Sequence, residues 1–99
     1  MKTVKVTEIF RASDVSSLDN VTDAILDELI SLQTEELFDA DLSAELATGL
    51  VEVSVVSVGS DFGQAVSRAS LAIHRAIQAI GMTVAFDKQS ERSDVVVPA

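Results

Sequence analysis

The period of the hydrophobic pattern changes several times along this 99-residue chain, and these changes restrict the fold more than any other feature. Residues 38–46 alternate strictly between apolar and polar side chains, which predicts a strand with one buried and one acidic face. A turn signal follows at Thr48-Gly49, and residues 50–58 are rich in β-branched side chains. We therefore predict a β-hairpin whose first strand buries one apolar set: Phe38, Ala40, Leu42, Ala44 and Leu46.

Apolar residues recur at helical spacing on both sides of this hairpin. The spacing predicts one helix over residues 18–33 and a second over residues 62–80. Asp61 precedes the second helix, and Gln64 follows three residues later, as in a capping box. The hairpin is therefore flanked by two amphipathic helices.

Two further strands are predicted at the ends of the chain. Residues 3–10 alternate, although Glu8 and Ile9 interrupt the pattern, which indicates either a bulge or the end of the strand. Residues 82–86 alternate after the second helix. The polar residues 88–94 predict a loose segment, so we expect one domain over residues 1–87 and a polar, flexible C-terminal tail over 88–99.

The resulting order is strand, helix, strand, strand, helix, strand. This order resembles the ferredoxin-like plait, an α+β fold with a four-stranded antiparallel sheet and two helices on one face. The resemblance is architectural and covers roughly residues 3–87. It implies that the first and third strands are central and that the second and fourth are edges.

Charge is segregated along the chain. The net charge is −9, and residues 12–67 contain twelve acidic residues but no lysine or arginine. Such a field favours basic partners or a complementary surface on another copy of the chain. It disfavours sequence-independent binding of nucleic acid, which requires many basic side chains on phosphates.

Two groups of residues are candidate partner contacts. Alternate residues of a strand share a face, so Asp39, Asp41 and Glu45 are expected to project outward together. On the polar face of the second helix, Leu71 lies between Arg68 and Arg75. We expect the basic helix face to contact a partner, for which the acidic hairpin of another copy is one candidate.

Residues typical of catalytic and metal sites are scarce. The chain has no cysteine and a single histidine, His74, so neither a thiolate nor a His/Cys metal site is expected. The glycines around Asp61 lack the lysine and the spacing of a phosphate-binding loop. We therefore predict no cofactor, no metal and no catalytic constellation, and interpret the protein as not an enzyme.

The composition predicts a small cytoplasmic protein that does not bind membranes or nucleic acid directly. Its expected function is that of an acidic interaction or accessory protein that self-associates. Two alternatives remain open at this point. One is an acidic inhibitor or regulator that binds a basic protein by imitating the charge of nucleic acid, and the other is a small-molecule-binding regulatory domain.

Overall fold

The predicted order of six elements is confirmed in the computed structural model, which describes residues 1–14, 16, 18–80 and 86–96. The elements are β1 Lys2–Ala12, α1 Leu18–Ser31, β2 Leu37–Glu45, β3 Leu50–Gly59, α2 Phe62–Ala79 and β4 Phe86–Val95. The α+β class and the ferredoxin-like βαββαβ plait are therefore correct. Among the helices within these ranges, none is both long enough and apolar enough to cross a membrane.

The described strands form one antiparallel sheet in the order β2-β3-β1-β4. β1 pairs with β3 along almost its whole length, from Lys2 opposite Gly59 to Arg11 opposite Leu50. β2 joins the outer side of β3, and β4 joins the outer side of β1. The predicted central and edge positions are thus confirmed.

The core lies between this sheet and the two helices. α2 packs on β3 and β1, whereas α1 packs on β2 and α2. Burying one valine or leucine side chain contributes about 1.5–3 kcal/mol, so the core supplies most of the drive for folding. The core also includes Leu37 of β2, which is 6% exposed. Its apolar members with at most 1% exposure come from the other described elements except β4: Val4, Val6, Leu18, Ile25, Leu29, Val51, Val53, Val55, Ala65, Ala69, Ile73 and Ala76.

Small residues bring α2 close to the sheet. The helix begins after Asp61, whose carboxylate accepts a hydrogen bond from the backbone N–H of Gln64 at 2.8 Å, as the capping-box pattern predicted. Just before this cap, a Cβ at Gly59 would lie 2.6 Å from the backbone nitrogen of Ala65. The last residue of β3 is therefore glycine because no side chain fits beneath the first turn of α2.

The last strand does not lie where the sequence pattern placed it. β4 includes the polar residues 88–94, so the expectation of a loose tail there is wrong, and the plait extends to Val95 rather than ending at residue 87. An edge strand is held by backbone hydrogen bonds to one neighbour and needs no apolar alternation when its side chains are exposed. Of the predicted strand over 82–86, residues 82–85 lie outside the described residues.

β2 also departs from its predicted pattern. Phe38 pairs with Val56 and Asp41 pairs with Ser54, so two residues of β2 lie opposite Val55 alone. This is a β-bulge, and Asp39 occupies it with φ of 53°, a region that Asp adopts more readily than most residues. Because of the bulge, Phe38 faces away from the helices, contrary to the predicted alternation.

We expect Gly59→Ala to destabilise the protein by about 1–3 kcal/mol, because the new methyl group would displace the first turn of α2. The matched control is Gly63→Ala, whose Cβ would meet its nearest atom at an ordinary 3.5 Å. That control should be neutral or stabilising by up to about 1 kcal/mol, because alanine favours a helix. Urea unfolding measures both, and equal effects of the two changes would contradict the close approach.

Candidate functional site

One side of the sheet is turned away from the helices. We call it the outer sheet face. Among the described strand residues, the apolar ones on this face come from β1, β2 and β3: Ile9, Phe38, Leu50, Val56 and Val58. Of these, Val56 is buried by its neighbours, and the other four are partly exposed. The outer sheet face is therefore a mixed apolar and polar surface rather than a fully hydrated one.

Charges divide this face into two halves. The β2–β3 half carries the carboxylates of Asp41, Glu45 and Glu52 and no cation among the described residues. The β1–β4 half carries three cations, Lys5, Arg11 and Arg92, and two carboxylates, Asp87 and Asp94. The outer sheet face is thus acidic at one edge and weakly basic at the other.

The structure brings only part of the predicted acidic group together. Asp41 and Glu45 lie on the outer sheet face, opposite Ser54 and Leu50 respectively. Asp39 is exposed, but it occupies the bulge, where the two-residue alternation is lost. Asp39 and Asp41 still line one concavity together with Lys5 of β1. Glu45 lies farther along the strand, beside Ile9 and Leu50 in another concavity.

The predicted basic group of α2 does form one surface. Arg68, Leu71 and Arg75 line a cleft of about 130 Å³, which we call the α2 cleft. The rest of its lining consists of Leu32, Leu37 and Ala72. Arg68 donates hydrogen bonds to the carbonyl oxygen of Val58 and to the Glu36 carboxylate, the latter at 2.9 Å. The α2 cleft is therefore apolar, with guanidinium groups at its margin.

A buried carboxylate in β1 was missed by sequence reasoning. Glu8 lies on the helix-facing side of the central strand, opposite Val53, and only 5% of its side chain is exposed. Lys88 of β4 donates to its Oε1 at 2.9 Å and to Oε1 of Glu91 at 2.8 Å. Oε2 of Glu8 has no hydrogen-bond partner among the residues that the structure describes. Leaving such an oxygen unpaired costs about 1–3 kcal/mol, and more for a charged group.

The hydrogen bonds of Lys88 shift two pKa values, its own and that of Glu91. Hydrogen bonds to Glu91 and Glu8 raise the pKa of Lys88 above its usual value. The same bond from Lys88 lowers the pKa of Glu91, to which Ser70 of α2 also donates a weak hydrogen bond at 3.3 Å. We call Glu8, Ser70, Lys88 and Glu91 the Glu8 cluster. It joins β1, β4 and α2 and can accept one further hydrogen bond at Oε2.

The signal for this cluster was present in the sequence. The alternation of β1 continues without a break through Glu8 and Ile9 to Ala12, so neither a bulge in β1 nor an early end of the strand explains it. The irregularity lies in β4, where Ser90 pairs with Ile9 and Lys88 pairs with Phe10. A glutamate at a core-facing position of a strand was thus the informative feature.

Other side chains that could serve in catalysis or metal binding are exposed. His74 is exposed on α2, and the three acids of α1, Asp19, Asp23 and Asp27, are exposed as well. Within the described ranges, no group of three or more His, Cys, Asp or Glu residues could hold a metal ion.

Comparison with known proteins gives matches in structure alone. No protein-family model and no curated protein matches this chain. A putative antibiotic biosynthesis monooxygenase from Chloroflexus aurantiacus J-10-fl is similar in structure, with a TM-score of 0.64 and 14% identity over 98% of this chain and 95% of that one. The de novo designed protein Foldit4 gives a TM-score of 0.47 and 17% identity over 95% and 97% of the two chains.

The first of these similarities corrects one expectation. The scarcity of familiar catalytic motifs predicts that the chain is not an enzyme. The same plait is, however, the fold of a protein described as a putative monooxygenase, over almost the full length of both chains. The interpretation is therefore wrong, because a missing motif does not exclude catalysis on a fold that enzymes use.

We expect Lys88→Met to destabilise the protein by about 1–3 kcal/mol, because the buried Glu8 carboxylate loses its cation. Adding Glu8→Leu should restore most of that loss, since the pair is then replaced by apolar groups. The control is Glu36→Gln, which removes an exposed ion pair to Arg68 and should cost less than about 1 kcal/mol. Chemical unfolding of the wild type and the three variants gives these values. A Lys88→Met loss no larger than that of Glu36→Gln would refute the buried pair.

The contribution of Glu91 to stability should depend on pH. Its pKa is lowered from 4.5 in the folded protein, so the stabilisation is present above that value and is lost as the pH falls below it. The difference in unfolding free energy between wild type and Glu91→Gln should therefore shrink towards zero as the pH falls well below 4.5. Urea titrations at a series of pH values measure it. A difference that does not change on acidification would contradict the assignment.

Proposed function

We propose that this protein acts as a self-associating interaction protein whose outer sheet face binds the same face of a second copy. The observation that carries the proposal is the division of that face into an acidic half and a weakly basic half around partly exposed apolar residues. Both helices pack on the other side of the sheet, so they leave this face open. A second copy would cover it without any change in the fold.

The charge pattern supports one geometry of association. Asp41, Ser54, Thr7 and Arg92 are paired in turn, so they form one row across the sheet with Asp41 and Arg92 at opposite edges. A two-fold axis between two such sheets, parallel to the strands, exchanges the edges. It places Asp41 of each copy against Arg92 of the other, so that this contact occurs twice.

The size of the face is adequate for a weak to moderate dimer. Four strands about 4.8 Å apart and about 30 Å long present roughly 600 Å² of flat surface. A stable interface buries about 800 Å² on each partner, and the ridges of the side chains add to the flat area. The apolar residues at the centre would supply most of the affinity, and the charges at the edges would set the orientation.

A charge-exchange experiment tests the proposal. Asp41→Arg and Arg92→Asp should each weaken the dimer by roughly 5- to 30-fold, since like charges then face each other in two symmetry-related contacts. The double variant Asp41→Arg/Arg92→Asp should regain most of the wild-type affinity, because each copy again offers opposite charges. Asp23→Arg on α1 has the same change in charge away from the face and is the control.

Sedimentation velocity over a concentration series measures the monomer–dimer equilibrium of each variant. A wild-type protein that stays monomeric throughout the series rules the proposal out. Dimerisation that is equally weakened in the single and double variants would instead contradict the two-fold geometry.

A further inference from the structure

We propose that the α2 cleft binds a short aliphatic carboxylate, with the carboxylate on Arg75 and the hydrocarbon chain against the leucines of the cleft. This site is separate from the outer sheet face, because α2 packs on the opposite side of the sheet. Its occupancy therefore does not depend on self-association.

The dimensions of the cleft limit the ligand. Its volume is about 130 Å³. Sites for drug-sized ligands measure about 300–1,000 Å³, so the α2 cleft takes only a short hydrocarbon chain. A carboxylate at the margin of the cleft adds to that length without entering the apolar part.

The lining selects an aliphatic chain. Leu37 and Ala72 are buried at the cleft, and Leu32 is partly buried beside them. Leu71 is 49% exposed at its margin, so part of its apolar surface remains in contact with water. A hydrocarbon chain would remove this surface from water, and a strongly polar ligand would not.

The guanidinium group of Arg75 favours an anionic ligand. Arg68 is already engaged by Glu36 and by the carbonyl oxygen of Val58. Arg75 is exposed, and it forms no ion pair with any residue that the structure describes. A guanidinium group presents parallel N–H donors that match the two oxygens of a carboxylate. Arg75 is thus an available cation beside an apolar cleft on a chain whose net charge is −9.

Titration with sodium pentanoate, followed by amide chemical shifts in NMR spectra, tests this inference. We expect saturable shifts at Leu32, Leu71, Ala72 and Arg75, with a dissociation constant on the order of millimolar for so small a ligand. Acetate has the charge without the chain, and pentanol has the chain without the charge. Both should bind more weakly than pentanoate.

Two arginine variants complete the experiment. Arg75→Gln should weaken pentanoate binding roughly tenfold, because a charge-assisted hydrogen bond is lost, and should leave pentanol binding unchanged. Arg11→Gln removes an exposed arginine on the other side of the sheet and should leave both unchanged. The proposal is overturned if the cleft residues show no saturable shifts, if pentanol binds as tightly as pentanoate, or if the two arginine variants bind pentanoate alike.

Discussion

The pairing of β1 with β3 is the contact on which the rest of this molecule depends. The two strands lie side by side over ten residue pairs, and each carries one edge strand on its other side. Their helix-facing valines form the floor of the core, and α2 lies across both. Their other side forms the centre of the outer sheet face, where Thr7 and Ser54 are buried although no helix covers them. The same register therefore sets the core, the outer face and the position of Glu8.

Irregularities in the two edge strands determine where charges point. In β4, the shift opposite Ile9 and Phe10 places Lys88 and Glu91 on the helix-facing side, although they are three residues apart. Without the shift, strict alternation would turn one of them away from Glu8. In β2, the bulge at Asp39 turns Phe38 outward and keeps Asp41 on the outer sheet face. Bulges commonly re-aim side chains at sheet edges, and here they help to form both polar surfaces.

Features that depend on apolar burial could be predicted from the sequence, whereas features that depend on backbone pairing could not. Apolar periodicity correctly indicated the two helices, the hairpin and the order of the strands, because burial of an amphipathic face specifies both period and side. The extent of β4 was not predicted, because its pairing with β1 uses backbone groups, which leave no pattern in the sequence. The α2 cleft was partly predictable, since helical spacing placed Arg68, Leu71 and Arg75 on one face. Its concavity depends on Leu32 and Leu37, which come from other parts of the chain.

Few carboxylates of this acidic chain are paired with cations, and this affects how two copies approach one another. Three of the seven basic residues are held by carboxylates within the described structure: Arg68 by Glu36, Lys88 by Glu8 and Glu91, and Arg92 by Asp94. Most carboxylates remain in solvent, so two copies repel one another at distances up to the Debye length of about 10 Å in 0.1 M salt. Association must overcome this repulsion through apolar contact and close charge pairs. Added salt therefore has opposing effects, since it relieves the long-range repulsion and weakens the exposed pairs. In the proposed dimer, salt strengthens association where apolar contact dominates and weakens it where the charge pairs at the edges dominate.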